Sequence, residues 1–340
     1  MIGHDVLTYL CARAAGFPAV PVTRTPYTYG GDDPGPYNPD YRWELREGTG
    51  PAVSAEEPYF DENEFYAPFV PYHAPSGGKV SALEVLALYS AEPDWGMDAG
   101  MRLSPLQALT GGSQGYRHLR YGLFGLRVGT AHRRAPHFTR MARLAASRRD
   151  PYWCARFAAR ALHYLEDLAS PFHTKPFPER AVPAGLLHPR RLYFAVYNYH
   201  LNLERAVGYR LWRGDGALLG CIEEACGGVK GGDGGPPAGE RAELAERCLR
   251  REMRRACRRA RGLVAPLFAR CKELFPGRMQ EEWVKIGAED VAGLRGDEEL
   301  ERLVEAWLSA AASLVFGYVA GVASPLLARA LSLGEEGGGA

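Results

Sequence analysis

The chain reads as all-α, a single domain of packed helices. Three observations lead there. From Val80 onward the pattern is helical, no run of alternating β-branched residues is long enough for a sheet, and the helical stretches are punctuated by first-turn prolines and Gly-rich breaks. A length of 340 residues with 46% hydrophobic content is enough to bury a substantial core. We take residues 1–333 as that domain and the Gly-rich 334–340 as a flexible tail.

Taken in order, a short helix is expected from His4 to Ala15. A long irregular insertion then covers about 18–78, dense in Pro, Gly, Tyr and Asp, as in Pro26-Tyr27-Thr28-Tyr29-Gly30-Gly31-Asp32-Asp33-Pro34. These residues favour turns, while the many tyrosines argue for order, so the insertion is expected to form a wall or lid. Helices follow over Val80 to Ser90, Pro136 to Ser147 and Pro151 to Ala169, with Pro171 stopping the last. A long helix runs from Arg190 to Trp212 and ends at Arg213-Gly214-Asp215-Gly216. Beyond the break at Gly227 to Gly239, two more are expected at Glu240 to Leu274 and Glu298 to Leu333.

Charge excludes some partners. With 41 basic and 40 acidic residues the net charge is +1, so no whole-protein field attracts nucleic acid or an anionic membrane. The seven cysteines form no CxxC pair, which argues against a cysteine zinc site; five fall between 221 and 271, where one or two disulfides are possible in an oxidising compartment. The opening Met1-Ile2-Gly3-His4 has no basic region or apolar run of a secretory leader, so by sequence alone a cytoplasmic location is the expectation. Ala306 to Ala328 carries no charge and is long enough to cross a bilayer; its Ala, Gly and Ser content suits a buried core helix, with membrane contact the alternative.

The informative segment is Ala161-Leu162-His163-Tyr164-Leu165-Glu166-Asp167-Leu168-Ala169-Ser170-Pro171-Phe172-His173. His163 and Asp167 lie four apart, on one helix face. Pro171 ends that helix and His173 can fold back toward the same space. His200 and Glu204 repeat the four-residue interval on the next long helix. Imidazole nitrogen and carboxylate oxygen are zinc ligands, and helix-borne His/acid pairs line metal sites in bundle cores. Either pair alone would more often be a surface ion pair or a hydrogen-bonded core histidine. The composite is far more specific.

That composite resembles the HYxxD…P…H core of the zinc-dependent phospholipase C and S1/P1 nuclease family, with His200 and Glu204 matching its later HxxxE pair and His4 its early histidine. Asp94, in Ala91-Glu92-Pro93-Asp94-Trp95, and His118, in Gln114-Gly115-Tyr116-Arg117-His118, match its intermediate aspartate and histidine. The resemblance implies a multi-helix bundle of that family's type holding two or three Zn2+ ions. One ion would take Asp94, His118, His163 and Asp167, and a second His173, His200 and Glu204. A third would take His4, with Asp167 bridging and Met1 supplying its amine. The family is usually exported and begins with a Trp exposed by cleavage, where this chain has Met1.

The function this implies is hydrolysis of a phosphodiester by metal-activated water, with Asp94 holding or deprotonating the water and phospholipid the favoured substrate. The runner-up is S1/P1-type nuclease or 3′-nucleotidase activity, with nucleic acid as a substrate only. The remaining alternative is a non-catalytic, metal-stabilised helical protein associated with membranes, and membrane-surface contact is possible under either lipid reading. No GxSxG or GxxxxGK[ST] motif supports a serine triad or a phosphate loop. Asp98 competes with Asp94 as the ligand. His132 and His137 are read as helix-cap or surface residues, His73 and His188 as surface, Arg117 and Arg120 as carboxylate-paired or solvated, and Arg250 to Arg261 as a solvated helix face. Tyr66, Tyr72 and Trp95 are read as packing.

Overall fold

The computed structural model describes residues 3–33, 37–38, 78–123, 125–228 and 238–332. Helix dominates, as the sequence predicts. The long helices are α1 (His4–Ala14), α4 (Ala131–Ser147), α5 (Pro151–Ala169), α8 (Pro189–Trp212), α9 (Gly216–Gly227), α10 (Ala238–Leu274) and α12 (Glu298–Tyr318). Shorter ones are α2 (Ala82–Leu88), α3 (Ser113–His118), α6 (Pro171–Thr174), α7 (Val182–Leu187), α11 (Ala288–Leu294) and α13 (Ser324–Ser332). Among the described residues, four three-residue strands make two antiparallel ribbons, β1 (Pro21–Thr23) with β2 (Lys79–Ser81), and β3 (Tyr121–Leu123) with β4 (Leu126–Val128).

Helix α5 is the axis of the molecule. Pro151 opens it, and Asp150 caps it by accepting from the Trp153 amide at 3.1 Å. Every residue from Tyr152 to Ala169 is buried, because α4, α2, α10, α12 and α13 pack around it. Each large apolar side chain there, such as Phe157, Leu162 or Leu165, contributes about 1.5–3 kcal/mol by leaving water. The same helix buries Arg156 and Arg160 completely. Both guanidiniums close on Glu92, with Arg160 Nε 2.6 Å from Oε2 and Arg156 Nε 3.2 Å from the same oxygen. Glu92 belongs to the 3₁₀ turn Tyr89–Trp95, so this buried ion cluster fastens that turn to α5. Burial opposes charge on Glu92, but the two arginines win and hold its carboxyl down at about 2.

The insertion is described only at its ends. There β1 and β2 pair, and Tyr27 and Tyr29 pack around Trp153. The rest of 18–78, with Tyr66, Tyr72 and His73, lies outside the described residues, as do Met1 and the tail 334–340.

Several boundaries differ from expectation. Helix α4 begins at Ala131, so Pro136 sits inside it, just beyond the first turn where a missing N–H costs nothing. Helix α9 follows directly after Gly214; Asp215 accepts from the Ala217 and Leu218 amides and starts a new helix at the supposed break. Residues 298–332 form one continuous helix, α12 running through a π-helical turn (Val319–Ala323) into α13. It is long and apolar enough to cross a membrane by length and composition. Trp307, Leu308, Ala311 and Val315 are nonetheless fully buried, as α12 packs on α1, α5, α9 and α10. The seven cysteines are free thiols; the nearest pair is Cys11 with Cys226, Sγ to Sγ 3.7 Å, not two from the 221–271 cluster.

Candidate metal centre

All eight residues singled out from the sequence come together. Helix α5 presents His163 and Asp167 one turn apart on one face, His163 Nε2 lying 3.4 Å from Asp167 Oδ2. Helix α5 ends at Ala169, and Pro171 starts α6, which turns His173 back until Nδ1 is 2.9 Å from Asp167 Oδ1. Helix α3 brings His118, whose Nδ1 is 3.1 Å from Asp167 Oδ2 and 2.8 Å from His163 Nε2. Helix α1 brings His4, Nε2 3.8 Å from Asp167 Oδ1. Asp167 is thus central, with His118 and His163 on one oxygen and His4 and His173 on the other.

Asp94, on the 3₁₀ turn, closes the cluster at 3.4 Å from His118, 3.6 Å from His4 and 3.8 Å from His163. Helix α8 supplies His200 and Glu204, whose carboxylate stands 3.3 Å from His173 Nε2 and 3.4 Å from His200 Nε2. Four residues further along α8, Gly208 lets α1 approach. A Cβ on Gly3 would come within 3.3 Å of the Gly208 Cα, a tight contact, and the φ of 98° at Gly3 strains any other residue. The cluster is nearly closed. Asp94 and His200 keep side-chain exposures of 24% and 22%, and they mark its open edge.

Neighbouring groups fix which ring nitrogen faces inward. His163 Nδ1 donates to the Ser90 carbonyl at 2.8 Å, leaving Nε2 for the cluster. His4 Nδ1 is engaged by Glu166, whose other oxygen accepts from Thr8 Oγ1 at 2.7 Å. His118 turns Nε2 toward Asp98, 3.4 Å away, and Ser170 Oγ donates to Glu204 at 2.7 Å. Asp98 therefore lies behind His118, bound to Arg117 and Tyr164, and Asp94 is the carboxylate inside the cluster. Glu166 stands beside Asp167 in the motif but is no candidate by spacing; its one signal in the sequence is Thr8, one turn after His4 and able to share a partner with it. His137 corrects another expectation, being buried with Nε2 2.9 Å from Asp33. His188 is exposed as expected.

Protonation follows from this geometry. Burial disfavours charge on His118, but hydrogen bonds to Asp167 and Asp98 push it up to about 10; His173, likewise desolvated, is raised to about 9 by Asp167 and Glu204. Burial works against charge on Asp167 and Glu204 too, yet the imidazoles hold Asp167 well below the usual carboxylate range, and the positive charge of the chain's amino terminus, with His200 and His173, does the same for Glu204. His4 and His200 are lowered, chiefly by burial, and stay neutral. Burial raises Glu166 in turn.

The donor set suits zinc. Among the described residues three groups have ligand atoms within 4.8 Å of one another: His4, Asp94 and His163; His118, His163 and Asp167; His173, His200 and Glu204. Nε2 of His4 and Nε2 of His200 are buried and make no hydrogen bond among the described residues, an arrangement costly unless a cation takes the lone pair. Nitrogen and carboxylate donors are what zinc accepts. The first two groups share His163, which has one inward nitrogen and can serve one ion only. A cavity of about 360 Å³ lies elsewhere, between α10 and α12, lined by Leu249, Ala256, Leu314 and Val322; none of the histidine cluster reaches it.

Comparison of the chain with protein-family models, curated proteins and solved structures gave no match.

Proposed function

We propose that this chain is a zinc-dependent phosphodiester hydrolase of the phospholipase C kind. The observation that carries the reading is the convergence on Asp167 of imidazoles from α1, α3, α5 and α6, with a second His/Glu pair on α8 one carboxylate away. His118, His163, Asp167 and Asp94 would hold one zinc, His173, His200 and Glu204 another, and His4 with Asp167 a third. Bound zinc supplies a water of lowered pKa and positive charge for the phosphoryl oxygens.

The chain's own residues do the rest. Ser90, Glu166 and Asp98 lock the rings so that His163, His4 and His118 offer one inward nitrogen each. Asp94, the most exposed of the carboxylates, holds the attacking water at the open edge and accepts its proton. The closed remainder of the pocket keeps other water out.

The test is to strip metal with a chelator, restore zinc, and measure turnover of phosphatidylcholine beside that of single-stranded DNA. Zinc-restored lipid turnover, lowered about 10²–10⁴-fold by Asp94→Asn, supports the reading. Turnover of DNA alone moves the protein to the nuclease branch. Fewer than two zinc ions per chain with no turnover of either leaves a scaffold.

A further inference from the structure

Helix α8 carries more than metal-site residues. Tyr193 and Tyr197 precede His200 by seven and three residues, and Glu204 follows His200 by four, so all four lie on one helical stripe. Tyr193 stands about 10 Å along the axis from His200. The stripe thus runs straight from the open edge of the site onto the surface. There Tyr193 is 59% exposed, Tyr197 47% and Trp283 51%, with Leu187 nearby in sequence at 77%.

Trp283 is not there by accident of a loose loop. It lies edge-on against Tyr193, Phe194 and Tyr197, the centroid separation to Tyr197 being 4.0 Å. Its backbone is laced to α8 by two buried asparagines one turn apart. Asn198 donates to the carbonyls of Met279 and Glu282, each at 2.7 Å, and accepts from the Val284 amide at 3.2 Å. Asn202 donates to the Val284 carbonyl at 2.7 Å and accepts from the Ile286 amide at 3.0 Å. Five hydrogen bonds from two side chains therefore hold a segment whose central residue is an exposed tryptophan.

We infer that the face formed by Tyr193, Tyr197 and Trp283 docks on the surface of a zwitterionic phospholipid bilayer, bringing the open edge of the metal centre to the headgroups. The choice of a lipid partner rests on the phosphodiesterase reading above. Aromatic side chains with an apolar body and a polar tip are at home at the headgroup level. The surrounding charges are mixed, Arg190, Arg191 and Lys285 among Glu281 and Glu282, with Arg191 and Glu281 paired at 3.0 Å. That pattern suits a headgroup bearing both signs. It does not make the basic track that nucleic acid demands, and the perpendicular ring packing leaves no parallel slot for a base.

The experiment is co-sedimentation of the full-length, zinc-loaded protein with phosphatidylcholine vesicles, with lipid hydrolysis measured in the same tubes. Wild type should sediment with vesicles, Trp283→Ala and Tyr197→Ala should each weaken partitioning at least about fivefold, and Tyr193→Ala/Tyr197→Ala/Trp283→Ala should abolish it. Circular dichroism confirms that the variants are folded, which their exposure favours. Undiminished partitioning of the triple variant overturns the inference, as does a wild type that stays in the supernatant. Binding of single-stranded DNA lost in the same variants overturns it in favour of base stacking. Partitioning without hydrolysis supports the docking face while counting against the chemistry, and hydrolysis of a soluble short-chain phospholipid without partitioning overturns the face alone.

Discussion

His4 and Glu166, 162 positions apart in the chain, meet side chain to side chain in the interior, ring Nδ1 against carboxylate Oε2. Both are fully buried, and Thr8 holds the other carboxylate oxygen. The contact leaves Nε2 as the ring's only nitrogen for a metal.

Glu166→Ala should therefore release His4 to rotate. Partners in this position cost about ten- to a hundredfold in metal affinity when removed. One zinc per chain should be lost selectively, as read by mass spectrometry after dialysis against a weak chelator, and the Asp98→Asn variant should instead weaken the site containing His118. Identical losses in both variants would argue that the carboxylates only support the fold.

Asp167→Asn should be the most damaging single change in the centre. It removes charge from the oxygen pair that four imidazoles surround, so metal content should fall by more than one ion per chain. A variant retaining the full zinc complement would contradict the central place assigned to Asp167.

Metal uptake should expel protons. With His118 at about 10 and His173 at about 9 in the metal-free protein, both rings are charged at neutral pH and must become neutral to ligate. Apparent zinc affinity should climb with pH through neutrality and level off once both rings have lost their protons, toward pH 10. Titration calorimetry in buffers of different ionisation enthalpy measures the release directly, and buffer-independent heats at pH 7 would refute it.

The buried cluster of Glu92, Arg156 and Arg160 predicts a second, separate pH effect. Its carboxyl is depressed from 4.5 to about 2, so it adds stability that is present above pH 4.5 and is lost as pH falls toward 2. Glu92→Ala removes the carboxylate that both buried guanidiniums bind and should cost about 3–5 kcal/mol in chemical denaturation. It should also abolish that part of the acid lability. Because Glu92 stands two residues before Asp94, metal binding should weaken as well.

How far the sequence reached depended on spacing. The interval from His163 to Asp167 and from His200 to Glu204 places side chains on a helix face by geometry alone, and the stop at Pro171 foretells the return of His173. Those parts were legible. Asp94 sits on a 3₁₀ turn and His118 at the end of a short helix, both with weak local signals, and only the fold brings them to α5. Pro136 misled because proline usually marks a first turn, and Asp215-Gly216 misled because a stop for one helix can also be the cap of the next. The partnership of Glu166 with His4 left one trace, Thr8 a turn beyond His4, and nothing local to Glu166 reports a contact across half the chain. The aromatic face was hidden for the same reason, as Trp283 joins Tyr193 and Tyr197 only through Asn198 and Asn202.

Helix α5 has no solvent face, yet it carries both the packing of the interior and the ligands at its heart. A helix of that kind has no position at which sequence can drift neutrally. A change on one side opens a void, and a change on the other uncouples a donor. Variation in substrate preference should accordingly accumulate in the elements that merely lean on it, above all α8 and the turn bearing Asp94, while the axis itself stays fixed.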